Sequence, residues 1–477
     1  MYRRSIAALS VLALLAGCGG GGGGGTPTPS PSPTPTVTPT PTACSLRMRQ
    51  QWADAQIREW YLFPETLPTS LDPAAYGTVD AYVDALTATA RGQGRDRYFT
   101  YLTSIAEETA YYEAGASVGF GFRLGIGTDG TRDIVVVIEA FEGAAALSAG
   151  IDRGWEILAI GTSSSNLRNI TDIMREQDGM VRALGPDTAG TARVFRVKNL
   201  VTQQERVVTL TKRDFPLQPV SSRYGAKIID DGGRKVGYVN LRTFISTAEQ
   251  PLRDAFDNFR AQGVTEVIVD LRYNGGGLLS TAELLGDLLG GNRFTSDVFS
   301  YTNFRSEKSS FNLTRNFTPQ PQSMSPMRIA FIGTGSTASA SELVMNAFIP
   351  YLQGDVALVG TNTYGKPVGQ IALDKAECDD RLRLVAFSVQ NSAHSDAYYN
   401  GLASTMQPFC GAVDDYAHPL GDPQEESIKQ ALGFLRTGTC TSTSARSLRR
   451  AEVPVPQQRL LIPERPNTIQ REVPGAF

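Results

Sequence analysis

The spacing of hydrophobic positions changes along the chain, and the changes divide it. Val79, Tyr82, Val83 and Leu86 recur at i, i+3, i+4 and i+7, the spacing of one apolar helix face, and helical patterning extends from Cys44 to about Tyr112. From Ser117 to about Phe215 short β-branched runs take over, such as Ile134 to Ile138 and Arg206 to Leu210, with Gly and Asp turns between them. They predict a compact β-rich module. Inside it Gly125-Ile-Gly-Thr-Asp-Gly130 has the G-x-G-x-x-G spacing, but a strand follows it instead of a helix. We read a hairpin turn there and no nucleotide site.

A third pattern begins after Phe215. Val236 to Leu241 is strand-like, Leu252, Ala255, Phe256 and Phe259 mark an amphipathic helix, and Glu266 to Arg272 is a continuous buried strand. Gly275-Gly276-Gly277 and a helix from about Leu278 to Leu289 follow. Arg328 to Ile332 repeats the theme with a short loop and a helix from about Ser339 to Phe348, and Val356 to Val359 is another buried strand. Strands alternating with helices imply parallel βαβ units, whose loops leave the C-terminal strand ends on one edge of the sheet. The triple glycine, the Ser-rich loop at 336–341 and the loop at 360–366 can therefore converge. The final stretch, 441–477, is rich in Arg, Pro, Ser and Gln and reads as disordered.

Composition narrows the function classes. Among 477 residues, 45 Lys+Arg against 48 Asp+Glu leave a formal charge of −3, without the basic excess of a nucleic-acid binder. Hydrophobic residues at 41% and charged residues at 19% exclude wholesale disorder. No C-x-x-C pair or Cys/His cluster suggests zinc, so neither a metal nor a cofactor is expected.

The N-terminus reads as an address. Arg3 and Arg4 precede an apolar run from Ile6 to Ala16, too short to span a bilayer, which marks residues 1–17 as a signal peptide. Leu15-Ala16-Gly17-Cys18 resembles the bacterial lipobox, which implies that Cys18 is lipidated. Gly19 to Gly25 and a Thr/Pro/Ser run to Thr42 make 18–43 a tether. The expected location is the bacterial envelope: lipid-anchored, facing the periplasm, on the outer membrane. In that oxidising compartment the four remaining cysteines allow three pairings, of which Cys378 with Cys410 and Cys44 with Cys440 are the expected ones.

Only His394 and His418 are available for a Ser-His arrangement, and both lie past the strand–loop–helix units. A histidine-free mechanism is therefore considered first. Ser336, Ser339 and Ser341 sit where a strand gives way to a helix, a place where backbone N–H groups stabilise an oxyanion. The same stretch, Ser339-Ala-Ser-Glu342, is also an S-x-x-E capping box. The glycines at 275–277 either let a carbonyl approach the backbone or form a flexible turn. Lys366, with no carboxylate within seven residues, is either a solvated lysine or a buried one whose proton burial loosens.

The segments Val269-Asp-Leu-Arg-Tyr-Asn-Gly-Gly-Gly277, Thr337-Ala-Ser-Ala-Ser-Glu342 and Tyr364-Gly-Lys-Pro-Val-Gly-Gln370 resemble the signature segments of the C-terminal processing, or tail-specific, serine peptidases. Gly119-Phe-Gly-Phe-Arg-Leu124 and the stretch 143–160 resemble the PDZ domain those enzymes carry. The resemblance implies an α/β multidomain protein: a helical region at 44–113, a PDZ-like domain at 114–215 and a crotonase/ClpP-like peptidase domain with a parallel βαβ core at 216–440. By position, Ser339 would be the nucleophile, Lys366 the general base and Gln370 the residue that orients it. The N–H of Ala340 with that of Gly276 or Gly277 would form the oxyanion hole, and Gly119, Phe120, Gly121 and Phe122 would hold a terminal carboxylate. The implied partners are proteins or peptides with free C-termini and, through the anchor, the membrane. Trp155 stands where the PDZ pattern has Asp, and Pro367 where many members have Gly, which suggests a separate lipoprotein branch. A catalytically silent peptide-binding lipoprotein is the alternative. The sequence's own Val473-Pro-Gly-Ala-Phe477 is apolar and can reach the groove of its own or a neighbouring molecule, or can have no role.

Overall fold

The structure, a computed structural model, describes residues 43–128, 132–440 and 459–477. The expected signal peptide, Cys18 and nearly all of the tether lie outside the described residues. The described residues form one compact unit.

The helix Leu46–Trp60 buries Gln50, Ala53 and Ile57, and the helix Val79–Leu86 buries Val79, Tyr82, Val83 and Leu86, the periodic set of the sequence. Both pack against Val368, Leu382, Leu384 and Val385 on the hairpin Val368–Lys375/Asp380–Gln390. The 44–113 region also supplies a strand, Tyr101–Ser104, to the sheet that contains this hairpin.

In the β-rich module the strands Phe122–Thr128, Asp133–Ala140, Trp155–Gly161, Ala192–Asn199 and Glu205–Thr211 pair antiparallel in that order. Thr128 pairs with Asp133, so Gly125 to Thr128 lie in a strand that pairs antiparallel with the next one, while the expected turn at 129–131 lies outside the described residues. Phe120, Phe122, Val135, Val137, Ile157 and Phe195 fill its core.

The third region is built on a six-stranded sheet in the order Ala226–Asp231, Arg234–Asn240, Glu266–Asp270, Arg328–Gly333, Val356–Gly360, Phe409–Gly411. The first pair is antiparallel and the rest are parallel, with Val239 beside Val269 and Phe331 beside Leu358. The sheet is thus mixed at its edge and parallel at its centre. Strand residues alternate between two cores, as the pleat requires. Val267, Val269, Ile329 and Phe331 face the helices Glu249–Ala261, Leu279–Leu289 and Ala340–Leu352, whereas Ile268, Ala330 and Ile332 face the helix Glu426–Thr437. With both faces covered, the central strands read as unbroken apolar runs. The loops after Asp270, Gly333 and Gly360 leave the same edge.

Two expectations are corrected. The disulfides join Cys44 to Cys378 and Cys410 to Cys440, not Cys378 to Cys410 and Cys44 to Cys440. Cys378 lies at the turn of the Val368–Gln390 hairpin, which is clasped to the first helix by Arg49 and Asp380 at 2.5 Å, so Cys44 is the cysteine beside it. Cys410 belongs to an edge strand under the helix Glu426–Thr437, and the chain leaving that helix returns Cys440 to it.

The second correction concerns the stretch 441–477. Residues 441–458 lie outside the described residues, but 459–477 is folded. Arg459–Leu460 pairs antiparallel with Phe122–Thr128, Thr468–Glu472 is a short helix, and Val473, Ala476 and Phe477 are buried. Averaged over 37 residues the composition is polar, and the average hides a short apolar end that finds a partner.

Candidate active site

Ser339 begins the helix Ala340–Leu352 with φ +54° and ψ −114°, a conformation that costs a non-glycine residue about 1–3 kcal/mol. The surrounding loop holds it there. Ala338 N–H and Ser341 Oγ–H donate to Asn274 O at 3.0 and 3.2 Å, and Thr337 Oγ1–H donates to Leu271 O at 2.8 Å. The serine loop is thereby fastened to the glycine loop. Of the three candidate serines, Ser341 is fully buried in this bracing, and only Ser339 occupies the strained turn.

The glycines at 276 and 277 have φ +122° and +132°, and a side chain at 276 would begin 2.8 Å from Ser339 Cβ. Backbone must therefore face the serine directly. Gly276 N–H donates to Asn274 Oδ1 at 2.9 Å, whereas no described residue accepts from the N–H of Gly277 or Ala340. Of the two glycine donors left open by the sequence, the geometry favours Gly277.

Lys366 lies on the loop that follows Val356–Gly360. Its Nζ donates to Gln370 Oε1 at 2.8 Å and stands 4.9 Å from the centre of the Phe99 ring. Gln370 Nε2 donates in turn to Phe99 O, so its carbonyl oxygen is left for the lysine. Phe99 is held by buried Asp96, which accepts from Phe99 N, Thr100 N, Thr100 Oγ1 and Tyr61 Oη. Burial lowers the Lys366 amine to about 8, although the carboxylates of Glu472 and Asp96 act in the opposite sense.

Glu342 is the residue whose full role sequence reasoning missed. Its capping-box position was legible, and Oε2 does accept Ser339 N–H at 3.1 Å. The same carboxylate also accepts Lys366 N at 2.8 Å, Gly365 N at 2.6 Å and Thr363 Oγ1 at 2.6 Å. Burial pushes its carboxyl upward, while these hydrogen bonds favour the charged form. One buried side chain thus ties the serine turn to the lysine loop, and Tyr364 N–H on Thr337 O at 2.9 Å adds a second tie. His394 stacks on Tyr301 and His418 bonds Asp415, so both are engaged elsewhere.

In the β-rich module, Gly119, Phe120, Gly121 and Phe122 join the strand Ala116–Gly119 to the strand Phe122–Thr128, and two of their N–H groups meet the end of the chain. Gly121 N and Phe122 N donate to Phe477 O at 2.9 and 3.3 Å, and Phe477 N donates back to Phe122 O at 2.9 Å. A side chain at Gly119 would begin 2.7 Å from the Phe477 carbonyl carbon.

Residues 235–404 match the sequence model of Peptidase family S41. The carboxyl-terminal-processing protease of Picosynechococcus sp. is 27% identical over 256 residues, 53% of this chain and 55% of that protein. Chloroplastic carboxyl-terminal-processing peptidase 3 of Arabidopsis thaliana is 26% identical over 391 residues, 80% of this chain and 69% of that protein. A crystal structure of a putative S41 protease from Bacteroides fragilis superposes with a TM-score of 0.62 at 24% identity, covering 81% of this chain and 97% of that one, a likeness of fold. The chain spans about half the length of the first of these relatives. Residues 235–404 are thus similar to Peptidase family S41, and the chain is similar to carboxyl-terminal-processing proteases at about a quarter identity.

With Lys366 as base, turnover is expected to rise with pH through about 8 and level off above it, since only the neutral amine accepts a proton. A pH–rate profile under conditions where chemistry limits the rate checks this; a flat alkaline range would remove Lys366 from the role.

Proposed function

We propose that the chain is a serine endopeptidase that binds the C-terminal tails of envelope proteins along the strand Phe122–Thr128 and hydrolyses peptide bonds with Ser339 and Lys366. The observation that carries this reading is that a strained Ser339 and the half-buried Lys366 are tied to one carboxylate, Glu342, through their backbone N–H groups. The parallel strand–helix units supporting both loops are read as a crotonase/ClpP-like core.

Neutral Lys366 accepts the hydroxyl proton as Ser339 Oγ attacks the scissile carbonyl carbon. The charge that develops on the carbonyl oxygen is met by the N–H groups of Ala340 and Gly277. The Lys366 ammonium then returns the proton to the leaving amine, and water activated by the same lysine releases the acyl group. Throughout, Gln370 fixes the direction of Nζ.

If the loop at 119–122 captures a terminal carboxylate, a peptide with a free C-terminus should show a KM about ten-fold below that of its amidated form at similar kcat. Failure to turn over either peptide or an unfolded protein would refute the peptidase reading and favour a silent peptide-binding protein. For the anchor, fatty-acid labelling of the wild type that disappears in Cys18→Ala is the expected result; equal labelling would exclude that attachment.

A further inference from the structure

The groove of the β-rich module is filled by the chain itself, and the filling segment continues over the candidate catalytic loops. Leu460 and Arg459 pair with Gly125 and Ile126, Leu461 N donates to Leu124 O at 3.0 Å, and Gly475 O accepts from Leu124 N at 2.8 Å. Phe477 occupies the loop at 119–122 as described above. Between these strand-like ends, the short helix Thr468–Glu472 turns toward the glycine loop, where Glu472 O accepts from Gly275 N at 3.0 Å. A cavity of about 420 Å³ that reaches Lys366 and Ser336 is walled on one side by residues from Ile462 to Pro474.

Polar clamps fix the segment at points outside both the groove and the catalytic loops. Asp187 accepts from Asn467 Nδ2 at 3.0 Å and Gln470 Nε2 at 3.3 Å, and is itself paired with buried Lys212 at 2.6 Å. Arg465 pairs with Asp84 at 2.9 Å, and Tyr112 Oη–H donates to Glu472 Oε1 at 2.9 Å. The segment is thus held by the helical region, the β-rich module and the peptidase body at once.

We propose that residues 459–477 are an intramolecular competitor that occupies the substrate groove and covers the approach to Lys366, with Asp187 as the latch that holds it closed. The inference rests on the peptide-binding reading of the groove. An incoming tail must displace Phe477, so the apparent affinity falls by the fraction of molecules whose groove is open.

The test uses a fluorescein-labelled peptide ending in Val-Pro-Gly-Ala-Phe with a free carboxyl group, and full-length protein carrying Ser339→Ala so that binding is read without hydrolysis. Fluorescence anisotropy should show binding at least about ten-fold tighter to the Phe477→Asp and Asp187→Ala variants, and to a chain lacking 459–477, than to the parent. Removing buried Phe477 and Val473 can compromise folding of the deletion, and Asp187→Ala, which leaves those apolar contacts in place, then decides. Equal affinity for the parent and a folded Asp187→Ala variant would overturn the proposal. Masking that fades on dilution of the protein would overturn its intramolecular form and assign the occupant to a second copy. The same variants with Ser339 restored keep the two readings apart: tighter binding without hydrolysis would defeat the peptidase reading and leave the competitor standing, whereas hydrolysis with unchanged binding would do the reverse.

Discussion

Ser339→Ala is expected to lower kcat/KM toward an unfolded protein by at least about 10⁴-fold while leaving the folded state intact. Only Oγ is lost, because the backbone bond from Ser339 N–H to Glu342 and the bracing by Asn274 do not involve the hydroxyl. Ser339→Gly should be equally inactive and more stable by about 1 kcal/mol, since φ +54° is strained for serine and free for glycine. Lys366→Met should match the alanine variant in activity, and the double variant should be no worse, as expected of groups that act as a unit. Turnover assays paired with urea unfolding check all four. Hydrolysis by Ser339→Ala within about ten-fold of the parent would show that another nucleophile is at work.

The parts legible in the sequence were those encoded locally. Val79, Tyr82, Val83 and Leu86 display their helix face within eight residues, and the buried strands at 266–270 and 356–360 announce a covered parallel sheet by lacking polar alternation. Once those strands are parallel, convergence of three loops follows from topology. What stayed hidden depends on contacts between distant residues. Gln370 is aimed by a carbonyl 271 residues away, and nothing in the sequence around Phe99 signals that use. Cysteine pairing depends on which hairpin packs on which helix, a tertiary outcome that spacing does not carry. Glu342 looked like a cap because a cap needs only its immediate neighbours, whereas its second function needs the lysine loop to fold back over it.

Arg242→Met is expected to be among the most destabilising single changes outside the candidate catalytic loops, costing about 3–5 kcal/mol, a large share of a typical folding free energy. Arg242 is buried, with Nε on Glu139 Oε1 at 2.6 Å, Nη1 on Glu142 Oε2 and Gln218 O, both at 2.8 Å, and Nη2 on Tyr224 Oη at 2.8 Å. Glu139 also pairs with buried Arg123 at 3.0 Å, so the cluster bolts the β-rich module to the sheet that carries the candidate active site. Burial alone would raise the Glu139 carboxyl, but Arg242 and Arg123 overcome it and hold it down at about 2. Because that folded value lies below the ordinary 4.5, its stabilisation is complete above the ordinary value and is lost as pH falls through about 2. Without Arg242 the carboxylate is left with one cation, and burial lifts its titration upward. The variant should therefore lose stability in urea at neutral pH and begin acid unfolding at a higher pH than the parent. Adding Glu142→Gln should restore part of the loss, because Glu142 pairs with Arg242 and a neutral amide removes the carboxylate left without it, whereas Glu139 must stay charged to pair with Arg123. A double variant less stable than Arg242→Met alone would mean that the cluster acts through packing, and that charge pairing is not what joins the module to the six-stranded sheet.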